Sequence, residues 1–335
     1  MRKLIEATIA GCSLAVMAVG CASPTAQQEQ QRQPITIDGS STVFPITEAI
    51  ADAYGQTQPE PVEINVSFSG TGGGFEKFCA GETDINNASR PILEAELAAC
   101  DEAGVRFIEL PIAFDALTVV VNQQNTWAED ITTEELRSLW ESSAQGEITR
   151  WNQVRSSWPD QPITLFGPGQ DSGTYDYFTE VVIEGESRSD FVASEDDDVL
   201  ATGVSQDPNA LGYFGFAYYE ENQDLKALAV DSGSGAVIPS IETVVDAEYQ
   251  PLSRPLFIYV NYTSAQNNPA VPDFVQFYLE TAAEQVGSVG YVPLTEEGYH
   301  IARVNFQEGE TGTAFDGGPQ PDLTIAELLR KTKRF

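Results

Sequence analysis

The chain has very few histidines and cysteines, which are common metal ligands and catalytic residues. Its 335 residues include one histidine, His300, and four cysteines. A serine hydrolase needs a general base, and His300 is the only imidazole that could serve as one. Metal-dependent hydrolases need clusters of ligating side chains, which this histidine and cysteine content cannot supply. We therefore expect no metal, no cofactor and no enzyme, with a hydrolase kept as the weakest alternative.

Basic residues are also scarce, and acidic residues dominate the charge of the chain. The sequence holds 17 lysines and arginines against 51 aspartates and glutamates, which gives a net charge of −34. Such a chain repels nucleic acids and anionic lipid surfaces, so neither is an expected partner. The same field repels small anions. An anion site in this chain must therefore depend on short-range hydrogen bonds.

Beyond the N-terminus, charged residues interrupt every apolar run before it is long enough to span a bilayer. The N-terminus itself begins with Arg2 and Lys3, continues with the apolar segment Ile9–Val19 and reaches Cys21 after small residues. This order is typical of a bacterial lipoprotein signal, with residues 1–20 as the signal peptide and Cys21 as the lipid-carrying residue. An ordinary secretory signal that is cut nearby is the alternative.

Residues 21–34 follow the predicted signal and are polar and rich in glutamine, with no apolar periodicity. This composition predicts a disordered tether. The sequence therefore predicts a protein in the periplasm or at the outer face of the plasma membrane, lipid-anchored at Cys21.

Two of the four cysteines, Cys12 and Cys21, belong to the predicted export signal. Cys79 and Cys100 remain, and in an oxidising compartment they are expected to form one disulfide. The closed loop of roughly 20 residues would stabilise the fold by about 3 kcal/mol.

Three segments rich in glycine and hydroxyl side chains each stand between a predicted strand and a predicted helix. They are Asp38–Pro45, Ser67–Phe75 and Gly167–Thr174. A strand that turns into a helix start leaves several backbone N–H groups aimed at one spot, and the helix dipole adds partial positive charge there. One such loop is a weak signal, but three that converge would form an anion-binding site.

Strand and helix patterns alternate along the chain after the tether, which predicts an α/β fold with a parallel sheet and helices on its faces. Two strongly β-type runs, Leu117–Asn122 and Pro255–Asn261, bracket a middle segment with its own strands and helices. The simplest organisation is two lobes joined by these two crossing strands. Residues 35–116 with 256–335 would form the first lobe, and residues 117–255 the second.

Five motifs stand in order along the chain: GSSTVFP, SGTGGGFEKFCAGETDINNASRPI, FGPGQDSGTYDYFTE, ALGYFGFAYYEEN and PLSRPLFIYVN. Together they resemble the substrate-binding proteins of the bacterial Pst-type phosphate ABC transporter, over about Ile35 to Pro293. The resemblance implies a two-lobed type II periplasmic binding protein fold that closes over inorganic phosphate. It also implies a monomer that delivers phosphate to the permease subunits of the transporter.

The resemblance implies which residues bind phosphate. The family uses backbone amides and a hydroxyl of the first loop, a hydroxyl of the second loop and the Ser-Gly-Thr sequence of the third. In this chain the positions are Ser41, Thr42, Val43 and Phe44, then Ser69 or Thr71, then Ser172, Gly173 and Thr174.

The chain departs from the family pattern in its charged ligands. Many members carry an acidic residue after the third strand and an arginine just before Ser-Gly-Thr. Here the first position holds Arg90, and the second falls near Pro168. We interpret Arg90 as the cation of the site, because a guanidinium can grip two phosphate oxygens at once. A surface ion pair is the alternative role of Arg90.

Asp171 is the candidate for the acidic partner of the anion. A carboxylate beside phosphate can accept the hydrogen of HPO₄²⁻, whereas sulfate has no such hydrogen at neutral pH and would be repelled. The alternative role of Asp171 is a helix N-cap. Other functional interpretations are a binder of another tetrahedral oxyanion such as sulfate or arsenate, a phosphate sensor and, least favoured, a phosphate-ester hydrolase.

Overall fold

The regular elements of the fold are buried strands that turn, through glycine and hydroxyl residues, into helices. A computed structural model describes residues 33–59, 62–170, 172–194 and 196–315. The predicted signal peptide, Cys21 and most of the predicted tether lie outside the described residues. Within the described part, no helix is both long enough and apolar enough to cross a bilayer.

Strands and helices alternate along most of the chain. The N-terminal part contains β1 (Ile35–Gly39), α1 (Phe44–Thr57), β2 (Ile64–Val66), α2 (Gly70–Cys79), β3 (Ile85–Ala88), α3 (Glu94–Ala103) and β4 (Phe107–Asn122). The middle part contains β5 (Asp130–Thr132), α4 (Thr133–Trp140), a 3₁₀ turn (Ser142–Ala144), α5 (Trp151–Val154), β6 (Thr164–Pro168), α6 (Gly173–Phe178), a π-helical turn (Thr179–Ile183), β7 (Val192–Ser194), α7 (Asp197–Gln206), β8 (Ala210–Gly215), α8 (Phe216–Glu220), β9 (Leu225–Ala227), β10 (Ala229–Asp231), β11 (Ala236–Val237) and α9 (Ile241–Val245). The C-terminal part contains β12 (Ser253–Asn261), α10 (Tyr262–Asn267), α11 (Ala270–Ser288), β13 (Val292–Pro293) and α12 (Glu296–Glu308).

The main sheet has the strand order β2-β1-β3-β12-β4-β8-β6-β7. Strand β1 is parallel to both β2 and β3, and β6 is parallel to both β7 and β8. Strand β12 is antiparallel to β3 and β4, and β4 is antiparallel to β8. The predicted α/β alternation is therefore confirmed, but the predicted parallel sheet is parallel only within β1–β3 and β6–β8 and is mixed as a whole, because β12 and β4 run antiparallel to their neighbours. Because β1, β2 and β3 are parallel, the loops that follow them open at one edge of the sheet.

Strand β4 changes its pairing partners in the middle of its length. Residues 107–116 pair with β12, and residues 117–122 pair with β8 and β9. Strand β12 begins at this point, with Ser253 opposite Ala116. The two runs predicted to cross between halves of the fold thus lie in β4 and β12, next to the place where the partners of β4 change.

Large aromatic side chains fill the core rather than a ligand site. Trp140 and Tyr213 are fully buried, and their rings meet edge to face with centroids 4.9 Å apart. A smaller cluster near α2 and α3 contains Phe75 and Tyr259, whose ring centroids are 4.8 Å apart. Such aromatic pairs add stability beyond the apolar area that they bury.

The predicted disulfide is confirmed. Cys79 at the end of α2 is bonded to Cys100 on α3, and both side chains lie in the smaller aromatic cluster. The bond therefore holds α3 against the helix that begins at the second glycine loop.

Replacing both cysteines, as Cys79→Ala together with Cys100→Ala, should lower the free energy of unfolding by about 3 kcal/mol. The denatured chain regains the entropy of a loop of roughly 20 residues when the bond is removed. Denaturant unfolding of the oxidised wild type and of the double variant measures the difference. A reducing agent should destabilise the wild type only, and equal stability of the two oxidised proteins would contradict the prediction.

Candidate functional site

The first glycine loop joins β1 to α1 and is closely packed. Thr42 and Val43 are buried, whereas Ser41 and Phe44 are half-buried. Helix α1 has Val43 as its N-cap, with no side-chain cap hydrogen bond, so the cap side chain satisfies none of the first N–H groups of the helix. Of the predicted ligand amides here, the N–H of Phe44 already donates to the carbonyl oxygen of Ser40 at 3.0 Å, so a hydrogen bond within the loop uses it.

The second loop is tied to the first through Asp38, which sequence reasoning left without a role. Ser67 Oγ donates to Asp38 Oδ2 at 2.9 Å, and Ser69 Oγ donates to Asp38 Oδ1 at 2.7 Å. Lys77 of α2 forms an ion pair with the same carboxylate at 2.5 Å. The only signal for this network was the position of the aspartate, directly before the first glycine loop.

The hydrogen bonds of the second loop separate the two predicted hydroxyl ligands. The Ser69 hydroxyl donates its hydrogen to Asp38. Thr71 Oγ1 instead accepts from the backbone N–H of Ser89 at 3.2 Å and lies 3.1 Å from Ser89 Oγ. Because its own hydrogen need not be committed, Thr71 is the better placed of the two to donate to an anion.

The carboxyl group of Asp38 is held in its ionised form. Burial alone would raise the pKa of Asp38, but hydrogen bonds from Lys77, Ser69, Ser67 and the backbone of Gly39 outweigh it, so the pKa lies below its ordinary value. A carboxyl group whose pKa is lower in the folded state stabilises the fold above its unfolded pKa. That contribution is lost as the pH falls through the folded pKa.

Asp38→Asn should lower the free energy of unfolding by about 1–3 kcal/mol at pH 7, because the amide cannot replace the charged acceptor. The difference from the wild type should begin to shrink below about pH 4, where the carboxyl of the unfolded chain takes up a proton, and should be lost as the pH falls through the lower pKa of the folded state. Urea unfolding at pH 7 and pH 3 measures both effects. Asp52→Asn, at an exposed position of α1, is the matched control, and a difference that is the same at both pH values would count against the charged role.

The third loop leads from β6 into α6, and one of its predicted ligands caps the N-terminus of that helix. Ser172 is the N-cap of α6, and its Oγ accepts from the backbone N–H of Thr174 at 3.1 Å. Thr174 itself is buried. The ordinary capping role considered for this sequence is therefore present, and the hydrogen of the Ser172 hydroxyl is still free to face a ligand. Asp171, the predicted acidic partner, lies outside the described residues.

The third loop touches the first loop through Gly173. A Cβ atom added to Gly173 would lie 2.4 Å from Thr42 Oγ1 and 2.7 Å from Thr42 Cα, which is closer than atoms can approach. Only glycine fits this contact. The structure therefore brings Thr42 and Gly173 together, although 130 residues of sequence separate the two loops.

Arg254 reaches the same contact and was missed by sequence reasoning. Its Nη2 donates to Thr42 Oγ1 at 3.2 Å, and its Nε lies 3.3 Å from Oδ2 of the buried Asp115. Its guanidinium carbon lies 3.6 Å from the ring centroid of Tyr177, and Nη1 lies 3.5 Å from a carboxylate oxygen of Glu180. The motif PLSRPLFIYVN contains this arginine, but its pattern predicted only a strand.

Arg90, the predicted cation of the site, is already paired. Its Nη1 and Nη2 donate to the two carboxylate oxygens of Glu96 at 2.9 and 2.8 Å. Glu96 also accepts from the backbone N–H of Leu93 and so caps α3. A Cβ atom on Gly72 would lie 3.7 Å from Arg90 Nη2, so the pair stands beside the start of α2. The role of Arg90 as a ligand stays a prediction.

Arg90 and Arg254 face one cavity of about 190 Å³ next to the loops. The cavity is lined by Ser89, Arg90, Pro91, Tyr177, Glu180, Val181, Gln250, Pro251, Ser253, Arg254, Pro255 and Phe315. The described residues contain no group of three or more His, Cys, Asp or Glu side chains that could hold a metal ion. His300 is exposed on α12. The site thus offers hydroxyls, amides and guanidinium groups, which suit an oxyanion.

Residues 24–281 match the family model described as a PBP superfamily domain. The chain belongs to this superfamily. It is 55% identical to Protein SphX of Synechocystis sp. over 96% of both chains. It is 35% identical to the phosphate-binding protein PstS of Staphylococcus saprophyticus, over 89% of this chain and 91% of the relative.

Solved structures of this superfamily have the same fold. A possible phosphate binding protein from Planctomyces limnophilus matches with a TM-score of 0.78 and 42% identity, over 83% of this chain and 99% of the other. An ABC-type phosphate transport receptor from Vibrio cholerae matches with a TM-score of 0.60 and 25% identity, over 78% of this chain and all of the other. The predicted type II periplasmic binding protein fold is therefore confirmed.

Proposed function

We propose that the protein is the receptor of a phosphate ABC transporter, which captures inorganic phosphate between two lobes and delivers it to the permease. It acts by binding and not as an enzyme. The observation that carries the proposal is the contact of Thr42 with Gly173, which joins two anion-binding loops from distant parts of the sequence. The names of the PstS relative and of the Vibrio cholerae receptor support phosphate as the ligand and an ABC transporter as the partner.

The proposed lobes are residues 35–116 with 256–335, and residues 117–255. The change of the partners of β4 between Ala116 and Leu117 supports this boundary. Phosphate contacts both lobes only when they are closed, so ligand binding shifts the population towards the closed state. The permease then recognises the closed form.

The proposed ligands are the hydroxyls and amides of the three loops, with one arginine. They are Ser41, Thr42, Val43, Phe44, Ser69 or Thr71, Arg90, Ser172, Gly173 and Thr174. The buried position of Thr42 and the uncapped start of α1 support Ser41, Thr42 and Val43, whereas the N–H of Phe44 would have to leave the carbonyl oxygen of Ser40 to bind phosphate. Asp171 keeps its proposed role as acceptor of the phosphate hydrogen, from the sequence alone.

The proposed location is the periplasm or the outer face of the plasma membrane. Residues 1–20 would be removed as a signal peptide, Cys21 would carry the lipid, and residues 21–34 would tether a monomeric receptor to the membrane. Receptors of this kind need to reach a permease in the same membrane, which a lipid and a flexible tether allow.

Isothermal titration of the purified protein, stripped of bound anion, tests the function directly. Phosphate should bind with a dissociation constant in the micromolar range or below, and sulfate should release no binding heat. Equal binding of both anions would support the alternative of a general oxyanion binder. Binding of neither anion would overturn the proposed function.

Gly173→Ala should weaken phosphate binding by at least about tenfold, a change of about 1.4 kcal/mol. The new methyl group collides with Thr42 only when the two loops meet, so the variant can fold but cannot close. Gly185→Ala is the matched control, since a Cβ atom there meets nothing within 4 Å. A thermal unfolding curve checks that both variants fold, and equal phosphate affinity of the two would contradict the proposed meeting of the loops around the ligand.

Two variants separate the possible roles of Arg90. Arg90→Gln should weaken phosphate binding by at least about tenfold, because the site loses a cation and Glu96 becomes an unpaired charge beside it. Combining Arg90→Gln with Glu96→Gln removes that unpaired charge and keeps a side chain that can cap α3. If Arg90 binds phosphate, the double variant stays weak. Recovery of wild-type affinity would show that Arg90 acts only as the ion-pair partner of Glu96.

A further inference from the structure

Arg254 stands at the point where the two proposed lobes join. It is the second residue of β12, and in the register of the sheet it lies opposite Asp115 of β4. The partners of β4 change two residues later, at Leu117. A side chain at this position needs to move little when the lobes rotate about β4.

From this position the guanidinium contacts both proposed lobes. Thr42, in the loop after β1, belongs to the first lobe and accepts from Nη2. Tyr177 of α6 and Glu180 of the π-helical turn belong to the second lobe and lie against the guanidinium face and Nη1. The arrangement in which Thr42 and Tyr177 both contact one guanidinium corresponds to the closed state of the proposed receptor.

Each nitrogen of the Arg254 guanidinium has a partner, but the partners on the Nη edge are weak enough for an anion to replace them. The carboxylate of Asp115, whose side chain is 2% exposed, pairs with Nε. On the other edge, Thr42 is a neutral acceptor. Glu180 is 65% exposed and 3.5 Å away, a geometry that contributes little as an ion pair. A phosphate oxygen would be a stronger acceptor than either group, because charge-assisted bonds to guanidinium are roughly twice as strong as neutral ones.

Tyr177 and Asp115 fix the orientation of the guanidinium. The Tyr177 hydroxyl donates to the carbonyl oxygen of Pro251 at 2.7 Å, which anchors the ring under the cation. The ring face attracts the cation, and the buried carboxylate of Asp115 attracts its Nε side. The donor edge is thereby preorganised next to Thr42 and Gly173.

We propose that Arg254 is the cation that joins the two lobes across bound phosphate, and that Asp115 positions its guanidinium. The proposal rests on the proposed function, and it assigns to Arg254 a role that the family motifs did not supply. Arg90 faces the same cavity but has Nη1 and Nη2 both engaged by Glu96. Arg254 is therefore the arginine of the cavity that contacts a residue of the first loop, Thr42, directly.

Titration of phosphate into Arg254→Gln and Arg254→Lys tests the role of the cation. We expect the glutamine variant to bind at least about 100-fold more weakly, as happens when one partner of a buried charged contact is removed. The lysine variant should bind about tenfold more weakly, because a point charge cannot replace the planar fork. Arg150→Gln is the control, since it removes the same charge from an exposed ion pair with Asp160.

Small-angle scattering with and without phosphate adds a readout of closure. The wild type and Arg150→Gln should become more compact with phosphate, and Arg254→Gln should not at phosphate concentrations that saturate the wild type. Asp115→Asn should weaken binding in the wild-type background, although it removes a negative charge, and should change the affinity of Arg254→Gln by less than about twofold. Tighter binding by Asp115→Asn would overturn its positioning role.

The outcomes separate this proposal from the function on which it rests. A wild type that binds phosphate, with Arg254→Gln and Arg254→Lys both within about threefold of it, would overturn the role of Arg254 and leave the receptor intact. If Arg254→Gln does not fold, the lysine variant decides in the same way. A wild type that binds no phosphate would overturn both proposals.

Discussion

The constraint on which the rest of the structure depends is the pairing of β4. All 16 of its residues are buried, and each buried N–H and C=O group must find a partner. Residues 107–116 of the strand pair with β12, and residues 117–122 pair with β8 and β9. In the sheet, β12 lies between β4 and the group β1 to β3, and β8 lies between β4 and β6. The loops after β1 and β6, which meet at Thr42 and Gly173, are thus both positioned by a single strand.

The charge of the chain makes this arrangement necessary. With a net charge of −34, the surface field opposes the approach of any anion. Most basic side chains near the loops are committed to carboxylates, as Lys77 is to Asp38 and Arg90 is to Glu96. In the proposed site, the attraction that remains is short-range and comes from amides, hydroxyls and the Nη edge of Arg254. Such a site selects its ligand by the positions of its hydrogen-bond donors. If one donor is displaced, no long-range electrostatic attraction makes up for the lost bond.

Much of the fold followed from local patterns in the sequence. Strand and helix alternation, the glycine loops and the Cys79–Cys100 bond depend on neighbouring residues or on simple counting, and the structure contains all of them. The partners of the charged residues did not follow, because they depend on which elements become neighbours. Glu96 lies only six residues after Arg90, a spacing with no regular periodicity to mark it as a partner.

Arg254 shows the same limit over a longer distance. Its partners Thr42, Asp115 and Tyr177 come from three separate parts of the chain. The β-type run that follows it, Pro255–Asn261, correctly predicted a strand, but a strand pattern does not tell which residues a side chain at the start of that strand will contact. The Ser69 hydroxyl was predicted as a ligand from its place in a loop. Its hydrogen bond to Asp38 became visible only once β1 and α2 lay side by side.

The adjacency of Leu117 and Leu252 has a consequence for the history of such a chain. The backbone N–H of Leu117 donates to the carbonyl oxygen of Leu252 at 2.9 Å, so the segment between these residues leaves the paired strands β4 and β12 and returns to them at neighbouring points. A segment whose two ends are neighbours is topologically an insertion, since the surrounding sheet would keep its register if the ends were joined by a short turn. Duplication, loss or exchange of such a segment at the level of the gene would leave the flanking strands undisturbed. The proposed joint between the two lobes thus coincides with the ends of this insertion.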